Sequence, residues 1–269
     1  MELILLGTGF PSANQKSGQA DAIVANGNFY LVDAGRNVSR QIAATGFPIK
    51  DVNHVFFTHF HLDHYSGFGD FIFSRWIGGA ITPFKVYGPP PIEEIVERTL
   101  NWLQYDIDLR VQEGRVYEGT RVEVQVLSPG DSLEIDGLRV SAEKATYHGN
   151  VEGLLSYRFE AEERNIVIAG DGAPTEKLLT FAKGADALLM HPCVPELFVK
   201  NARNLEQARL TIARHATAET VGQTATKAGA GTVVLSHICP VGAVDEEVGE
   251  EVSRHFDGEV IVGKDLLRI

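Results

Sequence analysis

Short apolar runs broken by turn residues dominate the first half of the chain, and longer stretches of helical spacing alternate with such runs in the second half. Residues 3–6 read as a strand, and 20–25 and 29–33 as two more flanking Asn26-Gly27-Asn28, a strong hairpin signal. Asn37 is placed to cap a helix running through Ala44, which Gly46 ends. Apolar, β-favouring Val55-Phe56-Phe57-Thr58 predicts a buried strand. Helices are expected over 68–77 and 92–103, the second announced by Pro89-Pro90-Pro91, with a strand over 84–87 between them. Strand pattern returns at 121–127, 132–135 and 138–146, the last two joined by Asp136-Gly137, and 153–160 with 165–169 reads as a hairpin around Glu162-Glu163-Arg164. From there the elements alternate: helix 174–182, strand 187–190, helix 218–228, strand 232–235, helix 244–255 and strand 260–262. Hairpins interleaved with crossovers predict an α/β chain of mixed sheets covered by helices. With no linker, repeat or low-complexity segment in view, the expected outcome is one domain over 1–269, two sheets between two helical layers.

Composition adjusts this picture only at the edges. A chain of 269 residues with 44% hydrophobic and 22% charged positions is an ordinary globular sequence, long enough to bury a substantial core. Its formal charge of −12, from 36 acidic against 24 basic residues with no cluster of five cations, disfavours nucleic acid, because a polyanion is held by several Lys or Arg. A small-molecule substrate fits better. The apolar run after Met1-Glu2 is too short for a signal peptide or a membrane span, so a cytoplasmic location without membrane contact is expected. Cys193 and Cys239 cannot build a disulfide framework, lie in no CxxC pair, and are expected to be reduced.

The chemistry is concentrated in His59-Phe60-His61-Leu62-Asp63-His64, three imidazoles and a carboxylate within six residues. The strand before it delivers His59 to its end, and a helix can begin at Ser66-Gly67, so a strand-to-helix loop carries four metal-ligand side chains. Imidazole and carboxylate suit a borderline divalent ion, zinc first with manganese or iron(II) as alternatives, and the lack of thiolates argues against a structural zinc finger. On an extended segment His59 and His61 point the same way while Asp63 and His64 face elsewhere, so one loop can serve two adjacent ions. Three further ligand types follow predicted strands: His148 after Ala145-Thr146-Tyr147, Asp171 after Ile166-Val167-Ile168-Ala169-Gly170, and His237 after Val233-Val234-Leu235-Ser236. Repeated placement at strand ends is how distant segments assemble a site on a rigid scaffold.

This HxHxDH motif with separate His, Asp and His residues resembles the metallo-β-lactamase superfamily over nearly the whole chain. Leu6-Gly7-Thr8-Gly9, Leu31-Val32-Asp33-Ala34-Gly35, Tyr157-Arg158-Phe159 and Ala169-Gly170-Asp171 are similar, more narrowly, to the branch holding ribonuclease Z, small phosphodiesterases and arylsulfatase-like enzymes. The resemblance implies an αββα sandwich with the metal site at one edge of the two sheets. It implies that His59, His61 and His148 bind one ion, that Asp63, His64 and His237 bind the other, and that Asp171 bridges both. Two ions roughly 3.5–4 Å apart would share a hydroxide as nucleophile. Asp63 is counted among the catalytic residues as well, and Asp33 is placed beneath the ligand loop to orient it, against the alternative of an exposed turn residue. His215, in Arg214-His215-Ala216-Thr217, resembles the non-ligand His that assists the leaving group, with the start of the next helix as its alternative role. A homodimer is implied by the same family.

The implied reaction is hydrolysis of a small-molecule ester, a phosphodiester or sulfate ester first, a carboxylic ester or lactone second; tRNA 3′ processing and a non-catalytic metal-binding role rank lower. Two departures set tRNA processing back. Pro192 follows His191 where the ribonuclease Z pattern has an acid, and only one hairpin separates His148 from Asp171, where single-chain enzymes of that kind usually insert a tRNA-gripping arm. His54 and His255 are expected at the surface, Arg158 in a surface ion pair or on an anion, and Gly7-Thr8-Gly9 in a tight turn rather than a nucleotide loop. Trp76, Trp102, Phe71, Phe73, Phe84, Tyr87 and Tyr105 are expected in the core, with an apolar wall over the metals as the alternative.

Overall fold

In a computed structural model of the protein, which describes residues 1–12, 16–149, 151 and 153–269, most strands fall into two seven-stranded sheets. In spatial order the first runs Leu267–Arg268, Glu2–Gly7, Ala20–Ala25, Asn28–Val32, His54–Phe56, Phe84–Gly88 and Val122–Val126, antiparallel up to Asn28–Val32 and parallel beyond it. The second runs Glu259–Val262, Thr232–Leu235, Ala187–Met190, Arg164–Ile168, Ser156–Ala161, Leu138–Glu143 and Ser132–Ile135, parallel through Arg164–Ile168 and antiparallel thereafter.

The two-residue period of the strands sorts their side chains into layers. Leu3, Leu5, Tyr30, Val32 and Phe56 of the first sheet share one buried cluster with Val140, Tyr157, Phe159, Ile166 and Leu189 of the second. Their neighbours Ile4, Leu6, Leu31, Val55 and Phe57 turn the other way, onto Val38, Ile42, Phe68, Phe71 and Ile92 of the helices Val38–Thr45, Phe68–Ile77 and Ile92–Gln112. Val167, Leu188 and Val233 likewise meet Leu178, Val221 and Val248 of the helices Glu176–Phe181, Ala218–Ala228 and Asp245–Ser253. The result is the expected αββα sandwich. Among the described residues no helix is long and apolar enough to cross a membrane.

Several expected boundaries move. The second large helix runs to Gln112 instead of stopping at 103, since nothing breaks it before Gly114. The expected strand over 138–146 ends at Glu143, and Thr146–Tyr147 pairs instead with Ala173–Pro174, so the following helix starts at Glu176 rather than 174. The strand expected from 153 begins at Ser156. Two helices not anticipated, Pro195–Lys200 and Leu205–Ile212, follow in the chain between the strands Ala187–Met190 and Thr232–Leu235, the latter helix capped by Asn204 Oδ1 on the Glu206 and Gln207 amides.

Main-chain contacts hold the ligand loop to the end of the strand Asn28–Val32. Ala34 N donates to His64 O at 2.6 Å, Gly67 N to Ala34 O at 2.8 Å and Gly35 N to Gln19 O at 2.9 Å. The backbones meet so closely at Gly35 that a Cβ there would fall 2.5 Å from Asp63 O, 2.6 Å from Gly18 C and 2.7 Å from Gln19 N. None of these atoms can swing away as a side chain can. Gly35→Ala is therefore expected to destabilise the protein by about 3 kcal/mol or more, read from the denaturant midpoint, and a wild-type midpoint would contradict this packing.

Candidate metal centre

Asp33 is the origin of the site's order. It sits just past a strand in the left-handed backbone region at φ 59°, buried, with Oδ1 accepting from Thr58 N at 2.8 Å and Oδ2 accepting from Thr58 Oγ1 and His64 Nδ1, each at 2.8 Å. Because the Thr58 hydroxyl proton goes to Asp33, its oxygen accepts from His59 Nδ1 at 3.0 Å. One carboxylate thus orients two imidazoles and turns Nε2 of each into the site. His237 is oriented independently. It too has a left-handed backbone, φ 51°, and its Nδ1 donates to Gly9 O at 2.9 Å, which directs Nε2 towards Asp63 Oδ2 at 3.3 Å and Asp171 Oδ2 at 3.6 Å. The Gly7-Thr8-Gly9 turn therefore positions a site histidine, and it is itself pinned by Thr8 N and Oγ1 on Asp265 Oδ1.

Within the motif, Leu62–Tyr65 forms a single helical turn, so Asp63 and His64 lie on a helix start rather than in an open loop. Two short ribbons complete the site. The pairing of Tyr147 with Ala173 brings His148 beside Asp171, and the pairing of Pro192 with Ala216 brings His191 beside His215. Ring centroids are 4.6 Å apart for His59 and His61, 4.9 Å for His61 and His148, 4.6 Å for His148 and His215, and 5.1 Å for His64 and His237.

All the sequence-predicted site residues meet in this one place. Three groups have ligand atoms within 4.8 Å of one another: His59, His64 and Asp171; Asp63, His64 and His237; His148, Asp171 and His215. The first group crosses the expected division of the ligand set, since His64 comes within 4.8 Å of both His59 and Asp63 through ligand atoms. His215 comes within ligand distance too, its Nδ1 donating to Thr211 O at 2.7 Å and its Nε2 without a hydrogen bond among the described residues. His191, to which no role was given, is buried, and its Nδ1 hydrogen-bonds Asp171 Oδ1, leaving Oδ2 to face His64 and His237.

Electrostatics fit a cation. Burial holds His59 well below the usual imidazole range and His148 at about 4, so both offer lone pairs near neutrality. Burial works against charge on Asp171, yet His237 and His64 hold it well below the usual carboxylate range. His64 is the exception: burial opposes its charge, but Asp33 and Asp171 on either side raise it well above the imidazole range. Its Nε2 is buried without a hydrogen-bond partner among the described residues, 3.5 Å from Asp171 Oδ2. A divalent ion held there would displace a proton from His64.

Other expectations divide. His54 is not a surface residue: its side chain is only 13% exposed, between Tyr30 and Tyr87, with Nδ1 3.2 Å from the Tyr87 hydroxyl and Asp136 nearby. His255 is partly exposed against Glu251. Arg158 pairs with Glu160 and donates to the carbonyls of Phe181 and Lys183, which makes it a structural tie. Phe71, Trp76, Phe84 and Tyr87 are core, whereas Trp102 and Tyr105 are exposed on the outer helix. The cavity beside His237, about 420 Å³, is lined instead by Phe10, Lys16, Ile238, Val241, Val244 and Asp245.

The geometry agrees with what the chain is similar to. The family model described as anti-Pycsar protein Apyc1 matches residues 1–202. A protein of Mycolicibacterium paratuberculosis named ribonuclease Z is 32% identical over 278 aligned positions, covering all of this chain and 98% of that protein. The chain belongs to the Apyc1-like, ribonuclease Z branch of the metallo-β-lactamase superfamily of metal-dependent hydrolases. Among solved structures, the metallo-β-lactamase fold protein YhfI of Bacillus subtilis is similar at a TM-score of 0.78 and 20% identity, covering 100% of this chain and 98% of that one. The short form of human tRNase Z gives a TM-score of 0.72 and 18% identity, with 100% and 98% covered. Relatives named ribonuclease Z run against the expectation that nucleic acid is disfavoured. The alignment of 278 positions against 269 residues also leaves no room for a long arm in that relative, so the absence of an arm here does not separate the two.

Proposed function

We propose that His59, His61 and His148 hold one divalent ion, that Asp63, His64 and His237 hold a second, that Asp171 bridges them, and that the centre hydrolyses a small-molecule phosphodiester, with a sulfate ester next. Zinc is the first choice of metal, manganese or iron(II) the alternatives. The observation that carries this reading is that the three groups of ligand atoms overlap in His64 and Asp171, as neighbouring ions with shared surroundings require. Bound divalent ions supply Lewis acidity, which polarises the ester and lowers the proton affinity of water. Asp33, Thr58 and Gly9 keep the histidine lone pairs aimed inward, and His191 keeps Asp171 Oδ2 turned to the centre. Asp63 adds a carboxylate that can accept a proton from the attacking water.

His215 is assigned as the acid. With Nδ1 fixed on Thr211 O, its Nε2 is the atom that hands a proton to the departing oxygen. His215→Ala is expected to lower kcat by roughly 10²–10⁴ with bound metal unchanged. Unchanged turnover of a substrate with a poor leaving group would remove His215 from the mechanism.

One observation favours a second reading. The whole-length relative named ribonuclease Z supports 3′ processing of tRNA precursors, against which stand the net charge of −12 and Pro192 after His191. Rates measured side by side on a nitrophenyl phosphodiester, a nitrophenyl sulfate, a lactone and a tRNA precursor decide between them. Diester cleavage without precursor cleavage supports the first reading, and the converse selects the second.

A further inference from the structure

From the surroundings of Arg214 we infer that its guanidinium is an anion-binding group of this centre, placed to hold an oxygen of a tetrahedral oxyanion on the substrate. The inference rests on the reading of the site as a hydrolase of anionic esters and names the residue that would recognise the charge.

Arg214 is held at the site from two sides. Its carbonyl accepts from Ala173 N at 3.1 Å, two residues after Asp171, and the next residue along the chain is His215. Its side chain packs against Gly149, the residue after His148. A Cβ built on Gly149 would fall 2.4 Å from Arg214 Nε, 2.6 Å from Cζ and 2.7 Å from Cδ, and the backbone there is left-handed at φ 62°. Only glycine leaves room for the guanidinium to rest there without strain. The cation, carried by the residue that precedes His215, therefore packs against the residue that follows His148.

The guanidinium nevertheless has no hydrogen-bond or ion-pair partner among the described residues. Other arginines withdrawn from solvent place theirs on backbone carbonyls: Arg36 on Lys16 O, Arg75 on Val52 O and Gly119 O, Arg158 on Phe181 O. Arg214 is partly buried, yet among the described residues no carboxylate or carbonyl takes it. A planar fork of five donors in that state is suited to a partner from outside, and a phosphoryl oxygen pair matches its geometry better than any neutral group. Local charge points the same way. Residues 195–217 carry Lys200, Arg203, Arg209 and Arg214 against Glu196 and Glu206, a positive excess of two in a chain of net charge −12. That excess lies on the two helices that lead into His215 and on the turns beside them.

Calorimetric titration of the metal-loaded protein with inorganic phosphate tests the assignment, with metal content and thermal midpoint recorded for each variant. Arg214→Met is expected to weaken phosphate binding about tenfold or more, and Arg214→Lys to lose part of that, with both metal content and midpoint at wild-type values. Equal affinity in wild type and Arg214→Met overturns the inference, as does undetectable binding by the wild type. Loss of metal in Arg214→Met also overturns it, by making the residue a structural support. Arg214-dependent phosphate binding in a protein that cleaves no phosphodiester keeps the anion site and removes the diesterase reading.

Discussion

Asp171→Ala is expected to remove at least one of the two proposed ions and to lower turnover by a factor on the order of 10³ or more, the equivalent of several kcal/mol of charge stabilisation. The reasoning starts from burial. Asp171 is 3% exposed, yet His237 and His64 hold its carboxyl ionised, so its negative charge is what the surrounding imidazoles are organised around. Its ligand atom belongs to two of the three candidate groups, with His59 and His64 in one and with His148 and His215 in the other. Removing it therefore weakens both halves of the centre at once. It also strands His191, whose Nε2 already lacks a partner among the described residues and whose Nδ1 would lose its hydrogen bond to Asp171 Oδ1. Elemental analysis of the purified variant gives the answer, and retention of two tightly bound ions would dismiss the bridging role.

Asp33→Ala carries the second large effect although Asp33 is not a ligand. The carboxylate receives the Thr58 amide, the Thr58 hydroxyl and His64 Nδ1 in a site shielded from water. Its loss leaves buried donors unpaired, at about 1–3 kcal/mol each, and frees both His59 and His64 to adopt the wrong tautomer or rotate. Metal affinity is expected to drop roughly 10–100-fold while the denaturant midpoint also falls. Asp33→Asn separates the two effects. The amide can still accept from Thr58, but it cannot stabilise charge on the imidazole, so stability should recover further than metal affinity. Equal recovery of both would show that Asp33 is only a packing element.

Much of this was legible in the chain. The motif from His59 to His64 announced its chemistry by residue type alone, and His148, Asp171 and His237 by their places after apolar runs. His191 had the same strand-end signal and was passed over, because the sequence does not say which strands are neighbours. In the fold, Arg164–Ile168, Ala187–Met190 and Thr232–Leu235 are adjacent and parallel, so Asp171, His191 and His237 leave one edge side by side. The ribbons that bring His148 to Asp171 and His191 to His215 are two residues long, too short for any periodicity to register. Thr58 and Gly9 act through a hydroxyl and a carbonyl that any residue-type pattern leaves silent. His54 was misplaced at the surface for a tertiary reason, since the rings of Tyr30 and Tyr87 on the two adjacent strands enclose it. The helices over residues 195–212 did have signals, Pro195 in the first turn and Asn204 as a cap, and they supply the basic segment that leads to Arg214 and His215.

The most direct measurement is equilibrium dialysis of the purified protein against zinc at neutral pH, with bound metal counted per chain. A centre in which His64 and Asp171 join overlapping ligand groups predicts two ions per chain, the second removed more readily than the first by a chelator, with phosphodiester turnover following occupancy. Saturation at one ion per chain with full turnover, or turnover that persists after both ions are removed, would contradict the two-ion account.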